Sequence, residues 1–174
     1  MLSFNKLWDN YPTILGDKTP CKTDGKINFD DQCAIRLGAT LSSNGVDTLK
    51  IVSKGRHCWQ HGASDGHILA AEELATGLNR LSIDGIGKFV KLSPSEFQRE
   101  ISNKKGIIFF KDFWQRTNKK TGKKESYRNR SGDHIDLWNG SRLTDWKTWF
   151  LISSTLNTNG AYGKSKEIWF WRVL

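Results

Sequence analysis

The stretch Asp30-Asp31-Gln32-Cys33-Ala34-Ile35-Arg36-Leu37 combines a helix start with a cysteine. Asp30 or Asp31 can act as the N-cap, and Asn44-Gly45 suits a left-handed end, so the pattern predicts a helix from this point to about Ser43. The apolar positions 34, 37 and 41 share one face, which predicts that the helix is buried. Cys33 would then lie in the first turn, where the helix dipole and unpaired N–H groups favour a reactive thiolate.

The rest of the chain predicts helices first and strands later, an order that favours an α+β domain with N-terminal helices on an antiparallel sheet. No repeat or linker divides the sequence, so we expect one domain over residues 1–174. The predicted helices are residues 4–15 with an end or kink at Pro12, residues 67–79, and a short one after the capping-box sequence 93–96. The predicted strands are residues 48–52, 106–114, 133–138 and 167–173, and residues 16–29 are predicted as a loop.

The chain is strongly basic, with a formal net charge of +9 over 174 residues. Much of this charge lies in residues 115–131, which read as an exposed loop with Glu125 as its one acid. Such a loop is either a solvated surface or a surface that attracts an anionic polymer. No apolar run is long enough to cross a bilayer, and the N-terminus lacks a signal-peptide pattern, so we expect synthesis in the cytoplasm and no membrane insertion.

His134 is the candidate base for the Cys33 thiol, because it lies at the start of a predicted apolar strand. Asp136 points to the same face of that strand, two residues on, whereas Asp133 points to the other. Asp145 follows the Asn139-Gly140 turn, and a hairpin there would return its carboxylate towards His134. From the residues alone, Asp136 and Asp145 remain alternatives for the acid that orients the imidazole.

A second group of titratable side chains lies in the segment Arg56-His57-Cys58-Trp59-Gln60-His61, with His67 shortly after it. The spacing matches no strong zinc pattern, so we expect no metal and no cofactor, and we interpret the segment as a loop that contacts substrate. The three cysteines leave at least one thiol free, and two alternatives remain for Cys21 and Cys58: a disulfide pair or reduced thiols.

Several segments together resemble the fourth family of type VI secretion amidase effectors. They are Gln32-Cys33-Ala34-Ile35-Arg36-Leu37, Lys104-Lys105-Gly106-Ile107-Ile108 and His134-Ile135-Asp136-Leu137-Trp138-Asn139-Gly140, with Ser3-Phe4-Asn5-Lys6-Leu7-Trp8 near the N-terminus. Their order and spacing hold from residue 3 to the end of the chain.

The resemblance implies a papain-like fold of the NlpC/P60 type and a Cys-His-Asp triad formed by Cys33, His134 and Asp145. The implied reaction is hydrolysis of the γ-D-glutamyl–meso-diaminopimelate amide in peptidoglycan stem peptides. A type VI apparatus would inject the protein into a rival's periplasm, and a cognate immunity protein would block it. We further expect Gln32, Asp136, Trp59 and His61 to contact the substrate.

Two other functions fit the residues. One is a cysteine protease or deamidase that uses the same site on a protein substrate. The other is a non-enzymatic basic module for nucleic acid, since aromatic residues alternate with Lys and Arg around residues 114–130. The amidase interpretation expects no nucleic-acid partner.

Overall fold

The computed structural model describes residues 1–145 and 162–174. Within them the chain forms helices followed by a four-stranded antiparallel sheet, which confirms the α+β prediction. The α-helices are α1 (Phe4–Asp9), α2 (Cys33–Ser43), α3 (Thr48–Ile51), α4 (Ala71–Arg80) and α5 (Phe97–Glu100). The strands are β1 (Lys22–Thr23), β2 (Lys26–Ile27), β3 (Ile86–Leu92), β4 (Gly106–Trp114), β5 (Gly132–Trp138) and β6 (Glu167–Val173).

The main sheet has the strand order β3-β6-β4-β5, and all neighbouring strands are antiparallel. β4 is apolar over consecutive residues because both faces of the sheet are covered. Ile107 and Phe109 belong to the core that the N-terminal helices cover, whereas Ile108 and Phe110 belong to a second core on the other face. β5 is an end strand of this sheet, and α2 packs against it.

Helix α2 is anchored by a close backbone approach at Gly38. A Cβ atom at this position would overlap the carbonyl group of Gly66, which itself has a φ of +72°. Glycine is therefore required at both positions, by space at Gly38 and by space and conformation at Gly66. This contact fixes α2 against the loop that precedes α4, and thereby fixes the position of Cys33 at the start of α2.

The strand predictions for residues 106–114 and 167–173 are confirmed, and the strand predicted at 133–138 begins one residue earlier, at Gly132. The strand predicted at residues 48–52 is wrong, because Asp47 accepts a hydrogen bond from the Leu49 N–H and caps the short helix α3. Two further elements were not predicted: β3, in which Gly87, Lys88 and Lys91 interrupt the apolar pattern of a strand, and the short β1–β2 hairpin inside the predicted loop.

The helix boundaries differ from the predictions in three places. α1 ends at Asp9, before Pro12 is reached. α4 begins at Ala71 rather than residue 67, because Ile68 pairs with His57 in an antiparallel bridge. The N-cap position of α2 belongs to Gln32, and Asp31 instead accepts a hydrogen bond of 3.4 Å from the Cys33 N–H.

The capping box predicted at residues 93–96 does not form, since the Ser93 N–H binds the side chain of Glu100 and α5 begins at Phe97. Across residues 1–145 and 162–174, no helix has the length and apolar character needed to cross a membrane.

Candidate active site

Cys33 and His134 meet where the start of α2 packs against β5. Cys33 is the first residue of α2, and its side chain is buried. His134 lies on β5 opposite Phe110 of β4, and its ring is surrounded by the aromatic rings of Phe110, Phe113 and Tyr162. The pair predicted from the sequence is therefore brought together by the packing of α2 on the end strand.

The carboxylate of Asp136 contacts the imidazole of His134. Asp136 Oδ2 lies 3.5 Å from His134 Nε2. Its other oxygen, Oδ1, accepts hydrogen bonds from the Thr144 hydroxyl at 2.7 Å and from the Leu137 N–H at 2.8 Å. Asp136 is therefore held rigidly, with one oxygen bound within the protein and the other directed at the imidazole.

The charges of this group are set by burial and by its close partners. Although burial alone disfavours the imidazolium, hydrogen bonds with Asp136 and Cys33 raise the pKa of His134 to about 10. Burial likewise opposes the charge on Asp136, yet contact with His134 and the nearby Arg36 holds the pKa of that carboxyl below its usual range. At neutral pH the site therefore contains an imidazolium and a carboxylate.

Asp145 lies on the wall of the same cleft, and its carboxylate accepts a hydrogen bond of 2.6 Å from Lys18. The cleft has a volume of about 350 Å³, and Asp145 shares it with His134, Asp136 and Tyr162. The assignment of Asp145 as the orienting acid, which came from the resemblance, therefore stays a prediction, with Asp136 as the acid in contact with His134.

Cys33 lines an adjoining cleft of about 520 Å³. The two clefts share Asp30, Asp31, Trp114 and Asp133, so they form one continuous depression around the thiol. The wall of the larger cleft carries Arg56, Arg116 and Lys119 beside the acids Asp30, Asp31 and Asp133. Arg56 pairs with Glu73 and Lys119 with Asp30, and two of the three basic residues come from the basic loop 115–131. Part of that loop therefore borders the candidate site.

The other three residues predicted to contact substrate, Gln32, Trp59 and His61, differ in their exposure and in their contacts. The buried Gln32 uses its side-chain amide inside the fold, where it binds the backbone of Cys21 and Phe29. Trp59 is exposed and packs edge-on against Phe29, which lines the larger cleft. His61 contacts the sulfur atoms of Cys21 and Cys58. Of these three, only Trp59 is exposed beside the cleft.

Sequence reasoning missed two side chains that shape the charge around Asp136. Arg36, one turn into α2, donates a hydrogen bond to the Lys18 carbonyl, and its positive charge acts on Asp136. Tyr11 lies in the buried surroundings of Asp136, and burial together with that negative charge raises the pKa of Tyr11. No local pattern signals either residue, because both reach the site from elements distant from β5 in sequence.

The fold is of the papain-like, NlpC/P60 type. A family model described as type VI secretion system (T6SS), amidase effector protein 4, or Tae4, matches residues 29–171. The crystal structure of the type VI effector Tae4 from Enterobacter cloacae aligns with a TM-score of 0.58 and 16% identity. That alignment covers 100% of this chain and 98% of the other. No protein of curated function matches the sequence.

The chain therefore belongs to the Tae4 family of type VI secretion amidase effectors. It is an antibacterial peptidoglycan amidase that the secretion apparatus delivers into target cells. The family resemblance seen in the sequence, the papain-like fold and the amidase function are confirmed.

Proposed function

We propose that the chain is one catalytic domain that cleaves the γ-D-glutamyl–meso-diaminopimelate amide of peptidoglycan stem peptides, with Cys33 as nucleophile and His134 as base. The observation that carries this proposal is the contact network of Cys33, His134 and Asp136 at the start of α2. It supplies a thiol, a base in hydrogen-bond contact with that thiol and a carboxylate in contact with the base, which are the parts that thiol catalysis needs.

The proposed reaction begins with the Cys33 proton on His134, which leaves a thiolate beside an imidazolium. The thiolate attacks the carbonyl carbon of the amide, and N–H groups of the first turn of α2 stabilise the oxyanion. The C–N bond breaks as the imidazolium gives its proton to the leaving amine. A water molecule, deprotonated by His134, then attacks the thioester, breaks the C–S bond and releases the D-glutamate carboxylate.

The electrostatics of the site support this resting state. The elevated pKa of His134, about 10, keeps the imidazole protonated at neutral pH, with the Cys33 side chain in hydrogen-bond contact with it. Because Asp136 Oδ2 lies against Nε2, the opposite ring nitrogen, Nδ1, is the one we assign to the Cys33 sulfur.

Charge also supports a stem peptide as the substrate. Stem peptides carry free carboxylates beside the scissile amide, and Arg56, Arg116 and Lys119 line the cleft next to Cys33. We assign the Arg116 side chain to a substrate carboxylate, because Arg56 and Lys119 already pair with Glu73 and Asp30, and we place Trp59 at the rim as an apolar contact. We assign Gln32 and His61 no direct contact with the substrate, because their side chains bind other residues of the protein.

Two further parts of the proposal concern the protein's surroundings. The substrate lies in the periplasm of the target cell, so we place the site of action there. A producer cell also needs protection from its own effector, and we propose a cognate immunity protein that covers the cleft around Cys33 and His134.

The test is digestion of purified Gram-negative peptidoglycan by the wild type, Cys33→Ala and Cys33→Ser, with the fragments identified by mass spectrometry. The expected result is fragments cut after γ-D-glutamate with the wild type and none with either variant. The matched control is Gly55→Ala, because Gly55 has open space around it and lies outside both clefts. No cleavage by a folded wild type, or cleavage that survives in Cys33→Ala, would overturn the proposal.

A further inference from the structure

A second group of reactive side chains lies beside the active site and takes no part in the proposed reaction. The sulfur atoms of Cys21 and Cys58 are 3.4 Å apart, and Nδ1 of His61 lies 3.6 Å from the first and 3.4 Å from the second. We propose that Cys21, Cys58 and His61 form a structural site for a divalent cation of the zinc type. The site contradicts the expectation from sequence spacing that the chain binds no metal.

The distances among the three donor atoms support this assignment. Zinc in a tetrahedral site has bonds of about 2.3 Å to sulfur and about 2.05 Å to nitrogen, so the edges are about 3.8 Å between sulfurs and about 3.6 Å between sulfur and nitrogen. The sulfur–nitrogen distances of 3.4 and 3.6 Å correspond to such edges. The sulfur–sulfur distance is a few tenths of an ångström shorter than its edge, which a small rotation of one side chain corrects.

Two buried imidazoles next to this cluster provide an independent observation. Within the described residues, neither Nε2 of His57 nor Nδ1 of His67 has a hydrogen-bond partner, although both side chains are buried. The rings of His61 and His67 are in contact, with centroids 4.3 Å apart. An unpaired polar atom in a protein interior is costly, so its presence calls for a ligand. His67 is not among the donor atoms that lie within 4.8 Å of one another, so we assign the fourth position to a bound water, with His67 in the layer around the site.

The surroundings of the cluster suit a structural site rather than a second catalytic one. The two thiols pack with Ile35 and the partly buried Phe29 and Leu69, which shield the cluster from solvent. The cation would displace one proton from each thiol, and the two thiolate charges would then balance the charge of the cation.

The site would stabilise the loop that precedes the catalytic helix. The backbone N–H of Cys21 donates a hydrogen bond of 2.8 Å to the side-chain oxygen of Gln32, and the Gln32 amide donates one of 3.1 Å to the Cys21 carbonyl. Gln32 is the N-cap residue of α2 and directly precedes Cys33. A cation held by Cys21 and Cys58 therefore ties the segment before α2 to the segment 56–61, and acts on Cys33 only by positioning it.

The experiment measures bound metal rather than hydrolysis, so its result is separate from that of the proposed function. The full chain is expressed in a reducing cytoplasm, purified without a metal-chelating tag, and analysed for metal by mass spectrometry. We expect about one zinc per chain in the wild type and in Cys33→Ala, and a loss of bound zinc in Cys58→Ser and His61→Ala. Cys33→Ala is the matched control because it removes the one thiol outside the cluster.

A second measurement keeps the test valid if Cys58→Ser does not fold. The wild type is treated with a chelator and titrated with Co²⁺, which should give thiolate-to-cobalt absorption and restore the melting temperature that the chelator lowered. Two results would overturn the proposal. One is a metal-free protein whose mass is lower by two hydrogens, which indicates a Cys21–Cys58 disulfide. The other is a metal-free protein whose thiols react freely and whose Co²⁺ titration gives no thiolate absorption.

Discussion

Replacing Asp136 by Asn tests which carboxylate orients His134. Asn keeps an oxygen that can accept the hydrogen bonds that the Thr144 hydroxyl and the Leu137 N–H now donate to Oδ1. It replaces Oδ2, 3.5 Å from His134 Nε2, by an uncharged NH₂ group. The substitution therefore removes the charge that faces the imidazole while it preserves the anchoring contacts and the shape of the side chain.

The expected size of the effect follows from the distance. Two unit charges 3.5 Å apart attract by about 5 kcal/mol at an effective dielectric constant of about 20, which corresponds to about 3.5 pH units in a pKa. The hydrogen bond with Cys33 remains, whereas burial continues to disfavour the imidazolium. We therefore expect the pKa of His134 to fall from about 10 by at least about two pH units in Asp136→Asn.

The assay is an NMR titration of histidine-labelled protein, with the His134 signal assigned from its loss in His134→Gln. Peptidoglycan hydrolysis is followed in parallel and should fall at least about 100-fold, because an unoriented imidazole is a poor base. Asp145→Asn is the matched comparison, because it also removes a carboxylate from this cleft. That carboxylate accepts a hydrogen bond from Lys18. Melting curves of both variants separate lost activity from lost folding.

The reasoning would be refuted by the opposite pattern. If the pKa of His134 and the rate of hydrolysis stay near wild type in Asp136→Asn but fall in Asp145→Asn, Asp145 orients the imidazole and the Asp136 contact is structural. That outcome would support the acid implied by the family resemblance.

Two further predictions concern stability. Gly38→Ala should lower the free energy of unfolding by about 1–3 kcal/mol, because its Cβ overlaps the Gly66 carbonyl; Gly55→Ala, measured by the same denaturant titration, should be near neutral because nothing lies within 4 Å. Folding raises the pKa of His134 from 6.5 to about 10, so its protonation adds to the free energy of unfolding. This contribution should be full below pH 6.5 and should be lost as the pH rises through about 10. Unfolding of the wild type and His134→Gln across this range measures it, and a constant difference between them would contradict the raised pKa.

The parts of the fold that the sequence predicted best are those in which local pattern and burial agree. β4 begins with a run of buried apolar residues and β6 is rich in aromatic residues, and both were predicted with the correct bounds. The segment 48–52 was mistaken for a strand because its apolar residues are too few to distinguish a short helix from a strand. The helix forms there because the side chain of Asp47 caps it by accepting a hydrogen bond from the Leu49 N–H.

The candidate site likewise has residues that local sequence patterns predict and residues that they do not. The Cys33–His134 pair was predictable because each residue carries a local signal, a helix start for one and an apolar strand for the other. The choice between Asp136 and Asp145 was not, because it depends on where side chains lie within one cleft rather than on their spacing. Arg36 and Tyr11 were missed because their charge and burial act on Asp136 through space.

The proposed metal site shows most clearly what sequence spacing leaves out. Cys58 and His61 are close in sequence, but Cys21 lies 37 residues before Cys58 and reaches it only because the segment before α2 folds back on the loop 56–61. Spacing rules detect ligands that share one turn or hairpin, and this cluster is closed instead by the packing of two separate segments. The same packing places Gln32 between Cys21 and Cys33. The segment before α2 thus acquires a defined position from side-chain contacts beyond its short hairpin, and that position sets where the catalytic helix begins.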